Sequence, residues 1–184
     1  MEAERDRWQR PSDVVRALDL RPGNVDLGCG SGYFTLKLSA PIGERGRVVA
    51  EDVRRLPLVF LWFRAASRHE PNVTIVHGAL NDKRLPAHVN SVLISNTYHE
   101  FTDSHSILVQ GYQSLVHTGR LVIVDRAPQP ANSATSKSTE HEISADHVES
   151  ELRQEKFEIV GRQDRFIGSD PDHEGWWLIV ARKP

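Results

Sequence analysis

The chain has 184 residues, enough to bury one substantial core and too few for two domains of ordinary size. Its 23 Lys and Arg against 25 Asp and Glu leave a net charge of −2, which argues against the basic stripe that a nucleic-acid backbone selects. A single cysteine, Cys29, excludes an internal disulfide framework, and no run approaches the roughly 18 apolar residues that a membrane span needs. The opening MEAERDRWQR is charged throughout and lacks the apolar core of a signal peptide, so a reduced, cytoplasmic setting is expected.

In chain order, Ser12 is placed to cap a helix over DVVRALDL, which ends at Arg21-Pro22-Gly23. The β-branched run NVDL (24–27) predicts a first strand and enters a glycine-rich turn; YFTLKLSA then predicts a helix that stops at Pro41. GRVVAED (46–52) reads as the second strand, LVFLWFRAASR as a helix with Pro57 near its start, NVTIVHG (72–78) as the third strand and SVLISN (91–96) as the fourth. Asp103 or Ser104 caps HSILVQGYQSLV, and RLVIVDR (120–126) is the fifth strand. The stretch APQPANSATSKST opens a mobile loop over 127–143, read either as a passive connector or as a lid at the ligand crevice. Ser144 caps ADHVESELRQE, and FEIVGRQDRF (157–166) and WWLIVAR (176–182) are the last strands. Only IGSDPDHEG joins those two, so they form an antiparallel hairpin at or near one edge. The alternation predicts an α/β fold, a seven-stranded mainly parallel sheet with helices on both faces, as a single domain over 1–184.

VDLGCGSGYFT runs a strand into a bare turn and then a helix, so backbone N–H groups and a helix N-terminus converge on one spot that suits a nucleotide-like ligand. Dinucleotide loops use G-x-G-x-x-G, where the third glycine packs helix on strand. Here the glycines are Gly28, Gly30 and Gly32, and Tyr33 stands at the third-glycine position. That ring argues against a pyrophosphate, as does the charge of Asp26 beside the turn. Glu51 and Asp52 close the second strand, Asp52 twenty residues after Gly32, where a carboxylate accepts both hydroxyls of a ribose.

VDLGCGSGYFT followed by GRVVAEDV resembles the first two motifs of class I S-adenosylmethionine-dependent methyltransferases, a Rossmann-like fold. SVLISNTYHEF resembles the fourth-strand motif of a small "YHE"-type subgroup, LVHTGRLVIVDR a helix-turn-strand that usually reads L.PGGRL.I.D, and the likeness covers most of the chain. The resemblance implies S-adenosylmethionine as cofactor and S-adenosylhomocysteine as product. Gly28, Gly30 and Gly32 with Asp26 would wrap the methionine part, Asp52 with Glu51 would hold the ribose, Val53, Ala79 and Leu80 would flank the adenine, and Cys29 and Tyr33 are further cofactor-binding candidates in the turn. The family usually carries an acid in a "GD" pair for the adenine amino group, where this chain has Gly78-Ala79.

Methyl transfer from a sulfonium needs alignment and, for some acceptors, a base. Acceptor-side residues belong at the ends of strands one and four, which selects NTYHE: Asn96 and Thr97 around the methionine, and Tyr98 and His99 as catalytic candidates. His99 is the general-base candidate because imidazole titrates near neutrality. The acids and histidines His99, Glu100, Asp103, His105, His141, Glu142, Asp146 and His147 are read as solvated helix starts, so no metal is expected. Expected partners are a small-molecule substrate, with no nucleic acid and no membrane, on a monomer or homodimer. A methyltransferase acting on protein or RNA, a non-catalytic cofactor binder and a nicotinamide oxidoreductase stay open.

Overall fold

The computed structural model describes residues 2–80, 82–128, 142–168 and 175–184. Its elements are α1 (Glu2–Trp8), α2 (Pro11–Ala17), β1 (Gly23–Leu27), α3 (Tyr33–Ile42), β2 (Arg47–Asp52), α4 (Arg55–Ser67), β3 (Val73–His77), β4 (Val89–Ser95), α5 (Ser104–Ser114), β5 (Leu115–Arg126), α6 (Ala145–Gln154), β6 (Glu158–Ile167) and β7 (Trp176–Arg182). The seven strands form one sheet in the order β3-β2-β1-β4-β5-β7-β6. β1 pairs in parallel with β2 and β4, whereas β7 runs antiparallel to both β5 and β6, so the expected C-terminal hairpin occupies the edge.

Strand periodicity sorts the core into two layers. Val92 and Ile94 of β4, Leu121 and Ile123 of β5, and Trp177 and Ile179 of β7 pack with Ile107 and Leu108 of α5 and Val148 and Leu152 of α6. The alternate residues Leu93, Val122, Val124, Trp176 and Leu178 pack with Val14 of α2 and Phe34 and Leu38 of α3. Both faces are therefore covered, which is why the central strands read as continuous apolar runs. Strand order reverses at β1, with β2 on one side and β4 on the other, and that opens a crevice beyond their carboxyl ends.

Several boundaries differ from the sequence reading. Ser12 lies inside α2 and does not cap it: Pro11 takes the first helical position, where its missing N–H costs nothing, behind a left-handed Arg10. α3 continues past Pro41 and ends at Gly43, whose φ of 62° turns the chain out of the helix. β5 begins at Leu115, ahead of the predicted Arg120, because the turn-like His117-Thr118-Gly119 is absorbed as an irregularity between the Leu115 and Arg120 pairings. Asp103 and Ser144 do cap α5 and α6, accepting from Ser106 N–H and His147 N–H. Most of the 127–143 loop, with His141, falls outside the described residues.

Candidate active site

The turn after β1 is built by backbone contacts to β2. Gly28 N–H and Cys29 N–H donate to Glu51 C=O at 2.8 and 2.9 Å, and Gly32 N–H closes on Cys29 C=O at 2.9 Å. A Cβ on Gly28, at φ 71°, would stand 2.4 Å from Thr97 Cγ2, so this glycine lets the β4 end approach the turn. At Gly30 a Cβ would meet no atom within 4 Å: the peptide there faces open space.

That space is a cleft with two lobes. One, about 230 Å³, is walled by Asp26, Gly30, Tyr33, Phe34, Asn96 and Arg5. The other, about 100 Å³, is walled by Glu51, Asp52, Val53, Leu80, Lys83 and Phe101. Gly28, Arg54, Thr97 and Glu100 line both and so mark the junction.

Acidic groups dominate the floor. Asp52, 2% exposed, accepts from Gly30 N–H at 2.9 Å and from Arg54 N–H at 2.8 Å. Glu51 is equally buried, and burial raises its pKa to about 7 despite the nearby Lys83. Asp26, also buried, accepts from the Thr35 hydroxyl at 2.6 Å; desolvation raises it to about 6. Burial and these carboxylates push the Cys29 thiol upward, which removes it as a nucleophile. Two acceptors on residues that line the lobes, Glu51 Oε1, which packs against Gly78, and Asn96 Oδ1, are shielded from water and take no hydrogen bond among the described residues. Unpaired buried acceptors of this kind cost free energy that a donor-bearing ligand recovers.

Most of the expected residues converge. Asp26, Gly28, Cys29, Gly30, Tyr33, Asn96 and Thr97 share the first lobe, and Glu51, Asp52, Val53 and Leu80 the second. Gly32 supports the turn from α3, where a Cβ would run into Leu61. Ala79 is placed differently: its N–H donates to Asp82 C=O at 2.7 Å within a turn, and it does not line the lobe that holds Leu80.

The two catalytic candidates diverge. Tyr98 is a correction to the expectation that it faces an acceptor: it is buried, and its hydroxyl donates to Glu151 of α6 at 2.9 Å, on the face away from the turn. A tight 3₁₀ turn over Tyr98–Glu100 sends neighbouring side chains in different directions. His99 has a side chain 4% exposed; its Nδ1 lies 2.8 Å from Asp125 Oδ1 and its Nε2 3.9 Å from Glu100 Oε1. Glu100 meets the cleft, and His99 stands behind it.

Arg5 was not legible as a site residue. α1 lays it over the Tyr33 ring at 4.0 Å, in the lobe that also holds Asp26, and burial lowers its pKa from the ordinary value. Tyr33 O–H donates to Asp6 at 2.6 Å, which pins α1 onto the cleft rim. Lys83 likewise carries no sequence signal for the site: it is 4% exposed and its ammonium sits 5.3 Å from the centre of the Phe101 ring. No group of three or more His, Cys, Asp or Glu with metal-binding geometry occurs among the described residues.

A family model described as a methyltransferase domain matches residues 25–123. Demethylmenaquinone methyltransferase of Shouchella clausii is 32% identical over 73 residues, covering 39% of this chain and 30% of the relative. 2-Phytyl-1,4-naphtoquinone methyltransferase of Thermosynechococcus vestitus is 31% identical over 102 residues, 55% of this chain and 44% of the relative. The matched stretches thus span less than half of these relatives' length. A SAM dependent methyltransferase from Aquifex aeolicus superposes with a TM-score of 0.83 at 21% identity, over 98% of this chain and 93% of the other. Magnesium protoporphyrin IX methyltransferase from Synechocystis, solved with bound SAM, gives 0.73 at 14% identity, over 96% and 79%. At those identities the likeness is one of fold. The family match covers more than half of the chain, including the glycine turn, both acids of β2 and the end of β4, and the chain belongs to the methyltransferase-domain family of class I S-adenosylmethionine-dependent architecture.

Proposed function

We propose that this chain transfers a methyl group from S-adenosylmethionine to a small-molecule acceptor. The supporting observation is that Asn96 and Glu51, one lining each lobe of the cleft, both carry a side-chain acceptor with no hydrogen-bond partner among the described residues, beside the open Gly30 peptide of the first lobe. S-adenosylmethionine carries donors at matching ends: an ammonium on the amino acid and hydroxyls and an amine on the nucleoside. Arg5 offers the cation for the carboxylate, and Asp52, already fixed by two amides, is set to accept from the ribose. Lys83 shares the nucleoside lobe, where its ammonium can donate to a ring nitrogen of the adenine; the acceptor for the amino group that Ala79 lacks is not replaced by it. When bound, the cofactor supplies an activated methyl on a sulfonium centre. Acids (Asp26, Glu51, Asp52) and cations (Arg5, Arg54, Lys83) alternate along the lobes, which suits a ligand that carries both a sulfonium and a carboxylate.

For acceptors that lose a proton, His99 is the proposed base, acting from behind Glu100. Asp125, 2.8 Å from Nδ1, fixes the orientation of the ring and leaves Nε2 on the side of Glu100. The names of the two curated relatives make quinone-type rings the first acceptors to try. A cytoplasmic location remains part of the reading.

The experiment is methyl transfer followed by mass spectrometry, with a panel of reduced quinones, phenols and amines. Formation of S-adenosylhomocysteine in step with a methylated acceptor supports the reading; cofactor binding without turnover on any acceptor supports a non-catalytic binder, the alternative that Ala79 favours.

A further inference from the structure

Seven large apolar side chains are strongly exposed among the described residues, and five of them, Leu56, Val59, Phe60, Trp62 and Phe63, lie on α4. Leu56, Val59, Phe60 and Phe63 follow helical spacing and form one outer stripe, with Trp62 beside it and its ring 4.8 Å from that of Phe63. The opposite stripe, Leu58, Leu61 and Ala65, is buried against the sheet layer. A helix apolar on both faces is stable in water only when both are covered. Five such side chains, each 49% or more exposed, amount to roughly several hundred Å², the size at which a patch marks an interaction site.

Charge selects the occupant. Arg54, Arg55, Arg64 and Arg68 bracket the stripe, and no acid occurs from Val53 to His69 although the whole chain is net negative. Glu2 pairs with Arg64 and Arg68, and Asp52 with Arg54, so four cations face two acids and the helix stays positive. A second copy docked helix to helix, in either direction, would bring arginines onto arginines. An anionic surface with an apolar interior does the reverse: guanidinium groups meet headgroups while Trp, Phe, Leu and Val enter the acyl boundary. No helix of the described residues is long and apolar enough to cross a membrane, and α4 would lie along the surface.

We propose that α4 is a peripheral docking face for an anionic lipid bilayer. α4 starts beside Arg54, at the junction of the two cleft lobes, and the nucleoside lobe that Arg54 lines also carries Leu80, 71% exposed. Docked this way, the cleft opens next to the bilayer, so an apolar acceptor dissolved in the lipid is within reach. That last point rests on the small-molecule reading; the contact itself does not.

The test is sedimentation of the full chain with vesicles of phosphatidylglycerol and phosphatidylcholine, against phosphatidylcholine alone, with the Trp62 contribution to fluorescence in brominated lipid taken as the difference between the parent and Trp62→Phe, because Trp8, Trp176 and Trp177 also emit. Expected are binding that depends on the anionic lipid, weakening at high salt, and quenching of Trp62. The Phe60→Ser/Phe63→Ser variant should bind at least about tenfold more weakly, and Arg55→Glu several-fold more weakly. Circular dichroism and S-adenosylhomocysteine calorimetry on the same samples separate this outcome from misfolding or from failure of the cofactor reading. No partition into anionic vesicles, quenching unchanged from vesicle-free protein, or a stable dimer that shields Trp62 would overturn the proposal.

Discussion

Asp52 accepts the Gly30 amide at 2.9 Å through one carboxylate oxygen and the Arg54 amide at 2.8 Å through the other, so the end of β2 is tied to the turn that ends β1. One acid therefore shapes the turn and faces the nucleoside lobe. Asp52→Ala should weaken S-adenosylhomocysteine binding by about 1–3 kcal/mol in calorimetry, and Asp52→Asn by less, since the amide keeps one acceptor. Unchanged affinity in both variants would move the ribose elsewhere.

Gly28 and Gly30 separate packing from binding. Gly28→Ala puts a methyl 2.4 Å from Thr97 at φ 71° and should cost about 1–3 kcal/mol of stability in urea unfolding. At Gly30 a Cβ would meet no protein atom within 4 Å, so Gly30→Val projects into the space that the cofactor needs. The folded protein should persist at a backbone cost of about 1–2 kcal/mol, with S-adenosylhomocysteine binding lost.

Glu51 gives stability a pH dependence of known sign. Burial raises its folded pKa to about 7 from 4.5, so between these values the folded protein holds a proton that the unfolded chain has released. Its contribution is fully present below about pH 4.5 and is lost as pH rises through about 7. Glu51→Gln should therefore be more stable than the parent at pH 8, by about 1–3 kcal/mol, and converge with it near pH 4. Chemical unfolding at the two pH values reads the difference; a deficit at pH 8 contradicts the assignment.

His99 and Asp125 form a buried pair, and Asp125 also accepts the backbone amides of His99 and Arg126. His99→Ala should cost about 1–3 kcal/mol of stability by leaving that carboxylate short of a donor. If His99 is also the base, kcat falls at unchanged KM for acceptors that lose a proton and not for those that do not, a split that a structural role alone does not produce.

The sheet was legible because β-branched runs alternate with capped helical segments, and the turn because Gly28, Gly30 and Gly32 sit between a strand and a helix with Asp52 at the next strand end. Less visible was anything decided by three-dimensional approach. Arg5 belongs to a run of charges that resembles a solvated face, and only the docking of α1 on Tyr33 brings it to the cleft. Lys83 reads as a loop lysine until the β3–β4 connection folds it in beside Glu51. Tyr98 and His99 are adjacent in sequence, yet the 3₁₀ turn sends one to α6 and the other to Asp125, a split that no period in the sequence encodes.

A structure of the complex with S-adenosylhomocysteine is the most direct test. The account requires the ribose hydroxyls at Asp52, the adenine between Val53 and Leu80, and the amino acid beyond Gly30 near Asn96 and Arg5. A nucleoside bound away from the β1 turn, or a cleft that stays empty at saturating ligand, contradicts it.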